Sequence, residues 1–137
     1  MKTVSLELSK RIAELEVGKV ESEYQWRIDW IAGDGGIVKE EAILVHGENY
    51  ETKGTNENGQ TCGTYLISAY TTDELLEQLQ ASTCMGKKTD IETKSIARYY
   101  VETFEHHSNN IHADTPAEAL GLLYEYLLKE GIIKSKE

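Results

Sequence analysis

The sequence predicts an α+β fold: an antiparallel sheet of four to five strands packed by about three amphipathic helices. Three observations carry it. Tyr24, Trp26, Ile28 and Trp30 recur at a period of two; Leu8, Ile12 and Leu15 recur at helical spacing; and the chain twice spells Ile-x-Ala-x-Thr-x-x-Glu-x-Leu-x-x-Leu, from Ile67 to Leu79 and from Ile111 to Leu123. Each copy of that pattern reads as a strand running straight into a helix. Its Thr can accept a hydrogen bond from the orphan N–H groups of the first turn, and the Glu three residues on can close a capping box. The length of 137 residues suits one domain spanning 1–137, because a chain of this size buries about two-thirds of its unfolded surface without a staple.

In chain order, Ser5 to Val17 predicts an amphipathic helix, with Glu7 and Arg11 spaced as an i,i+4 pair and Gly18 suited to the left-handed stop position. From Glu23 the period switches to two and predicts a strand with Tyr24, Trp26, Ile28 and Trp30 on one face and Gln25, Arg27 and Asp29 on the other. Gly33-Asp34-Gly35-Gly36 supplies a tight reversal, and Ile37 to Val45 returns as the second strand of a hairpin. Gly47 to Gly63, rich in glycine, asparagine and threonine, predicts a long polar loop that is either mobile or functional. Thr64 to Tyr70 predicts a strand leading into a helix over Thr72 to Gln80, and Ser82 to Asp90 predicts a loop. Lys94 to Glu105 is rich in β-branched and aromatic residues and reads as a strand, with a helix over Ile91 to Phe104 as the alternative; Ser108-Asn109-Asn110 then predicts a turn. Pro116 opens the last helix, Ala119, Leu120, Leu123 and Leu127 form its inner face, and Gly131 ends it. Trp26, Leu75, Leu79, Leu120 and Leu123 are the expected core contributors. The two echoed junctions are 44 residues apart; a duplicated unit would explain them, and so would the few ways of writing a capped strand-to-helix turn.

The charge of −10, from 24 acidic and 14 basic residues, opposes nucleic acid and anionic membrane and suits either a basic partner or plain solubility. Cys62 and Cys84 lack a CxxC spacing and read as reduced thiols; with no signal-peptide pattern and no apolar run of about 18 residues, a cytoplasmic location in a bacterial host cell is expected. No catalytic residue and no cofactor is expected. Gly86-Lys87-Lys88-Thr89 lacks the first glycine of a phosphate loop, since Ala81 stands there, and no base accompanies Cys84. His106, His107 and His112 flank the predicted turn with Asp114 nearby, the one group whose chemistry suits zinc or nickel. Tyr50, Asn56 and Asn58 are the candidate binding residues of the 47–63 loop. Tyr24, Trp26 and Trp30 offer aromatic faces, but their neighbours are not basic, so packing against a helix is the better reading.

Thr3 through Leu15, the Tyr24/Trp26 pair, Ser68 through Leu76, and Ala113-Asp114-Thr115-Pro116-Ala117-Glu118-Ala119-Leu120 through Gly131 together resemble small uncharacterised proteins encoded by bacteriophages and prophages. The resemblance runs in order along nearly the whole chain, leaves out Gly47 to Gly63, and carries over no catalytic residue. It implies a non-enzymatic binding or accessory protein whose partner is a host or phage protein. A self-assembling accessory protein, a homo-oligomer betrayed by an exposed sheet edge or apolar helix face, is a second expectation. A third is an antitoxin-like module, because the strand-to-helix junction at Thr115 is similar to that of HicB-type antitoxins, although the DNA-binding segment usual in that group does not show in these residues.

Overall fold

The computed structural model describes residues 3–16, 21–79, 83–89, 97–103 and 106–133, with the backbone path alone over the strands between 83 and 110. The fold is α+β. The elements are α1 (Leu6–Leu15), β1 (Tyr24–Gly33), β2 (Gly36–His46), β3 (Thr52–Thr55), β4 (Thr61–Ala69), α2 (Thr72–Gln78), β5 (Thr83–Thr89), β6 (Ala97–Thr103), β7 (His106–Ala113) and α3 (Pro116–Lys129). They form a four-stranded antiparallel sheet in the order β2-β1-β4-β3 and a three-stranded antiparallel sheet in the order β5-β6-β7. The alternation from Tyr24 to Trp30 becomes β1, one of the two interior strands of the larger sheet, and the helical periods become α1 and α3.

Three stretches expected to be irregular are strands. The polar loop of 47–63 holds β3 and the start of β4, paired from Thr52 against Thr64 to Thr55 against Thr61. Its turn is shaped by Asn56, whose Oδ1 accepts from the Asn58 and Gln60 amides at 3.0 and 2.9 Å, with Gly59 at φ +76°. Threonines flank that turn, and an edge hairpin needs β-branched residues more than apolar ones. Ser82 to Asp90 likewise contains β5, and Ser108-Asn109-Asn110 lies within β7. Both are edge strands held to β6 by main-chain pairing, which a polar composition does not forbid.

The helices meet in one core. Val4, Leu8 and Ile12 from the α1 region, Tyr70, Leu75 and Leu79 around α2, and Ala117, Ala119, Leu120, Leu123, Tyr124 and Leu127 of α3 are buried together. Helix α3 packs on α1, α2, β6 and β7, and α1 packs on β4. Trp26 is half-buried rather than central; its indole Nε1 donates to the Val4 carbonyl at 3.1 Å and so holds β1 to the segment before α1. Gly121 faces α1 at the crossing, since a Cβ there would lie 2.8 Å from Val4 Cγ2. Arg11 bonds Glu125 of α3 at 2.7 Å rather than Glu7 of its own helix, because the longer-range carboxylate is the one held beside it.

The caps follow the predicted chemistry with one difference. At α2, Thr71 accepts from the Glu74 amide and the Glu74 side chain accepts from the Thr71 amide, a closed capping box. At α3, Thr115 accepts from the Glu118 amide at 3.2 Å, but the Glu118 carboxylate turns to Ser5, accepting from its amide at 2.9 Å and its hydroxyl at 2.8 Å. Ser5 is itself the N-cap of α1, so Glu118 ties two helix starts together instead of closing its own box. Gly131, at φ +69°, ends α3 with its amide on Leu128 and the Ile132 amide on Leu127, a Schellman pairing. Helix α1 ends at Glu16 in extended backbone; the Gly18 stop lies outside the described residues. Thr115→Ala should lower stability by about 1 kcal/mol, read as an earlier midpoint in urea. An unchanged midpoint would show that the cap contributes nothing.

The two echoed junctions sit in differently ordered sheets. Strand β4 is paired on both sides, whereas β7 is an edge of its sheet. That favours local likeness over duplication of a whole unit.

Glu16, just past α1, is half-buried and accepts from the Tyr70 hydroxyl at 2.5 Å and the Tyr124 hydroxyl at 2.9 Å. Burial pushes its carboxyl above the ordinary 4.5, the two hydroxyls pulling part of the way back. A carboxyl raised by folding holds its proton more tightly in the folded state, so its share of stability declines as pH rises from 4.5 through the raised value. Glu16→Gln keeps an acceptor and removes the titration. The stability of Glu16→Gln minus that of the parent should therefore grow in favour of glutamine across that window. A difference flat with pH would refute the raised carboxyl.

Candidate functional site

The four-stranded sheet has two unlike faces. From the register, Tyr24, Trp26, Ile28 and Trp30 share one side with Glu40, Ala42 and Leu44 of β2 and with Ala69 of β4. This side meets α1: Ile28 and Ala69 are buried, and Lys10 of α1 pairs with Glu40. The aromatic group is thus committed to packing, with Trp30 lying over Gly63, where a Cβ would come within 2.9 Å of the ring. The opposite side carries Gln25, Arg27, Asp29 and Ile31 beside Lys39, Glu41, Ile43 and Val45, and no helix covers it among the described residues.

What crosses the open face is a strap. Strands β2 and β3 are the two edges of the sheet, so Gly47 to Glu51 must traverse three inter-strand spacings, about 14 Å at the usual strand separation. Gln25, buried at the start of β1, is the peg that holds it: its Oε1 accepts from the Glu48 amide at 2.8 Å while its Nε2 donates to the Ser22 carbonyl at 2.7 Å. Tyr50 donates to Glu48 at 3.2 Å and accepts from Arg27. Beyond the strap lies a shallow groove of about 530 Å³, floored by Asp29, Ile31, Cys62 and Thr64 and flanked by Lys39, Glu41 and Lys53. The Thr64 hydroxyl donates to Asp29 at 2.6 Å, and Cys62 is a half-buried thiol.

The candidate residues from the sequence fall into place unevenly. Tyr50, Asn56 and Asn58 do not form one surface: Tyr50 belongs to the strap, while Asn56 shapes the β3–β4 turn with Asn58 as one of its donors. Strand β7 replaces the turn that was to gather the histidines. His106 and His107 stand six and five residues from His112 along an extended strand, about 20 and 16 Å, so β7 does not fold them onto a common ion. The side chains of His106, His107 and Cys84 lie outside the described residues. His112 and Asp114 are exposed beside a cleft of about 410 Å³ that Thr3, Ser5 and Glu118 also line. Among the described residues no group of three His, Cys, Asp or Glu side chains is placed to hold a metal ion. The Gly86-Lys87-Lys88 stretch is the middle of β5, paired with Arg98 to Tyr100.

The feature that sequence reasoning missed is the outer edge of β2. Ile37, Val38, Ile43 and Leu44 are 57, 62, 46 and 37% exposed, and β1 is the only strand beside β2 among the described residues. The signal was present, because Ile37 to Val45 carries apolar residues at both parities. A strand apolar on both faces is either buried on both or waiting for a partner.

No family model, curated protein or solved structure matches the chain. Among the described residues, no helix is long and apolar enough to cross a membrane.

Proposed function

We propose that this is a non-enzymatic accessory protein of phage or prophage type, acting by protein–protein contact in the host cytoplasm, and that its contact surface is the outer edge of β2. The observation that carries the reading is the exposure of four large apolar side chains on one edge strand that is unpaired on its outer side among the described residues. Such an edge offers main-chain donors and acceptors for strand addition, with alternate side chains supplying specificity. Its first half is blunted in the manner of protected edges, by the irregularity opposite Ile31 and Ala32 and by the charges of Lys39, Glu40 and Glu41. The second half, Ala42 to His46, has no such protection. An acidic chain would moreover favour partners that do not depend on phosphate contacts. The exposed edge is also the feature that the self-assembly reading requires, which gives that reading more support than the antitoxin-like one.

A photocrosslinking amino acid at position 43, expressed in host cells, should yield a discrete covalent adduct. The same probe at position 58, in the turn at the opposite edge, should yield none. Equal labelling from both positions, or no adduct from position 43, would refute the contact surface.

A further inference from the structure

We infer that the occupant of this edge is a second copy of the chain, paired antiparallel through β2 about a two-fold axis at Ile43. The inference rests on the contact role proposed for that edge. The regular part of β2 runs from Lys39 to His46, because the ladder with β1 slips between Ile31 and Ala32 and leaves Val38 as the extra residue. Antiparallel pairing joins residues whose main-chain groups point outward, which alternate along a strand, so a two-fold axis must pass through a residue position.

The side chains choose among the available axes. An axis at Glu40 or Glu41 sets that carboxylate against its own copy, a like-charge contact that destabilises a cross-strand pair. An axis at Ala42 sets Lys39, Glu40 and Glu41 against the partner's Val45, the partner's Leu44 and the partner's Ile43, so that every charge meets an apolar group. An axis at Ile43 sets Ile43 against the partner's Ile43, Ala42 against the partner's Leu44 and Glu40 against the partner's His46, and leaves one charge facing an apolar group, Glu41 against the partner's Val45, where the Ala42 axis leaves three. Apolar side chains then fill the centre on both faces of the sheet, with a carboxylate and an imidazole meeting at each rim of one face and Glu41 lying over the partner's Val45 at each rim of the other, a largely apolar centre with a polar margin. His46 is already set edge-on against Tyr24, with ring centroids 5.0 Å apart, and lies 3.5 Å from Glu23. Glu40 is already steadied by Lys10. Two four-stranded sheets become one of eight strands. The paired run is only seven residues, so the dimer is reversible and depends on concentration.

Sedimentation of the intact chain from micromolar to millimolar concentration should show a monomer–dimer equilibrium. Ile43→Lys and Ile43→Glu should each dimerise about tenfold or more weakly, since each sets like charges face to face and loses the apolar centre. Mixed together they should recover association as a heterodimer, because position 43 faces position 43. Ile37→Lys, beyond the slipped register, should dimerise as the parent does. Far-ultraviolet circular dichroism and urea midpoints keep folding separate from pairing. A parent that stays monomeric, variants that dimerise unchanged, or a mixture that fails to associate would each overturn the proposal. An adduct from position 43 to a different protein, with a monomeric parent, would refute the second copy and leave the contact reading standing.

Discussion

Leu120→Ala should lower the free energy of unfolding by about 3 kcal/mol, within the usual range for a leucine truncated in a close-packed core. Leu120 is fully buried, and its neighbours on the same helix face, Leu123, Tyr124 and Ala117, are buried with it. Helix α3 is held by α1 on one side, by α2 on another and by β6 and β7. With support from so many directions the surroundings relax little into the space left behind, so the cavity cost adds to the lost transfer energy. A domain of this size has a total stability of about 5 to 15 kcal/mol, so the loss is a large fraction. Urea unfolding followed by circular dichroism should show a lower midpoint with an unchanged slope. A loss well below 1 kcal/mol would mean that this face of α3 does not form the core.

Gly121→Val should cost about 2 to 3 kcal/mol by overpacking, although valine is a better helix former than glycine. The added Cβ alone would meet Val4 Cγ2 at 2.8 Å and Leu8 Cδ2 at 3.0 Å. Leu8 Cδ2 ends a flexible side chain and can move aside, whereas the stiff, fully buried Val4 has to shift even for a single methyl. Gly121→Ala is therefore expected to cost about 1 kcal/mol, the helix-propensity gain offsetting part of the squeeze. The two further methyls of valine drive the helices apart. Since Trp26 is bonded to the Val4 carbonyl, tryptophan fluorescence in the native state should shift more with valine than with alanine. A valine variant as stable as the parent would show that α1 and α3 do not cross at this glycine.

Much of the fold was legible because periodicity reports burial on one face. Tyr24 to Trp30 alternates since one side of β1 meets α1, and Ala119, Leu120, Leu123 and Leu127 repeat at helical spacing since α3 turns that stripe inward. Thr71 and Thr115 were legible as caps from their own chemistry. The Glu118 carboxylate was not, because its partner Ser5 lies 113 residues away and no local rule links them. Strands β3, β5 and β7 look like loop or turn in the sequence for a related reason: they are edges of their sheets, fixed by a neighbouring backbone, and their threonines, lysines and asparagines carry no alternation. The candidate site was hidden by its own ambiguity. Ile37 to Val45 reads as a strand either way, and only the sheet order shows that β2 lies outermost.

The strap between β2 and β3 has a consequence for how the sheet is assembled. Strands β1 and β2 meet through a two-residue turn, and β3 and β4 through a five-residue one, so each pair can form from contacts close along the chain. The remaining seam joins β1 to β4, from Tyr24 against Ala69 to Ala32 against Thr61. Those partners are 45 and 29 residues apart, and closing so long a loop must precede any gain from pairing. The seam therefore carries the largest loop-closure cost of the sheet. The strap belongs with the first hairpin, since Gly47 donates to Glu23 and Glu48 to Gln25 at the open end of the β1–β2 pair, and it is short enough to hold the second hairpin within reach of β1.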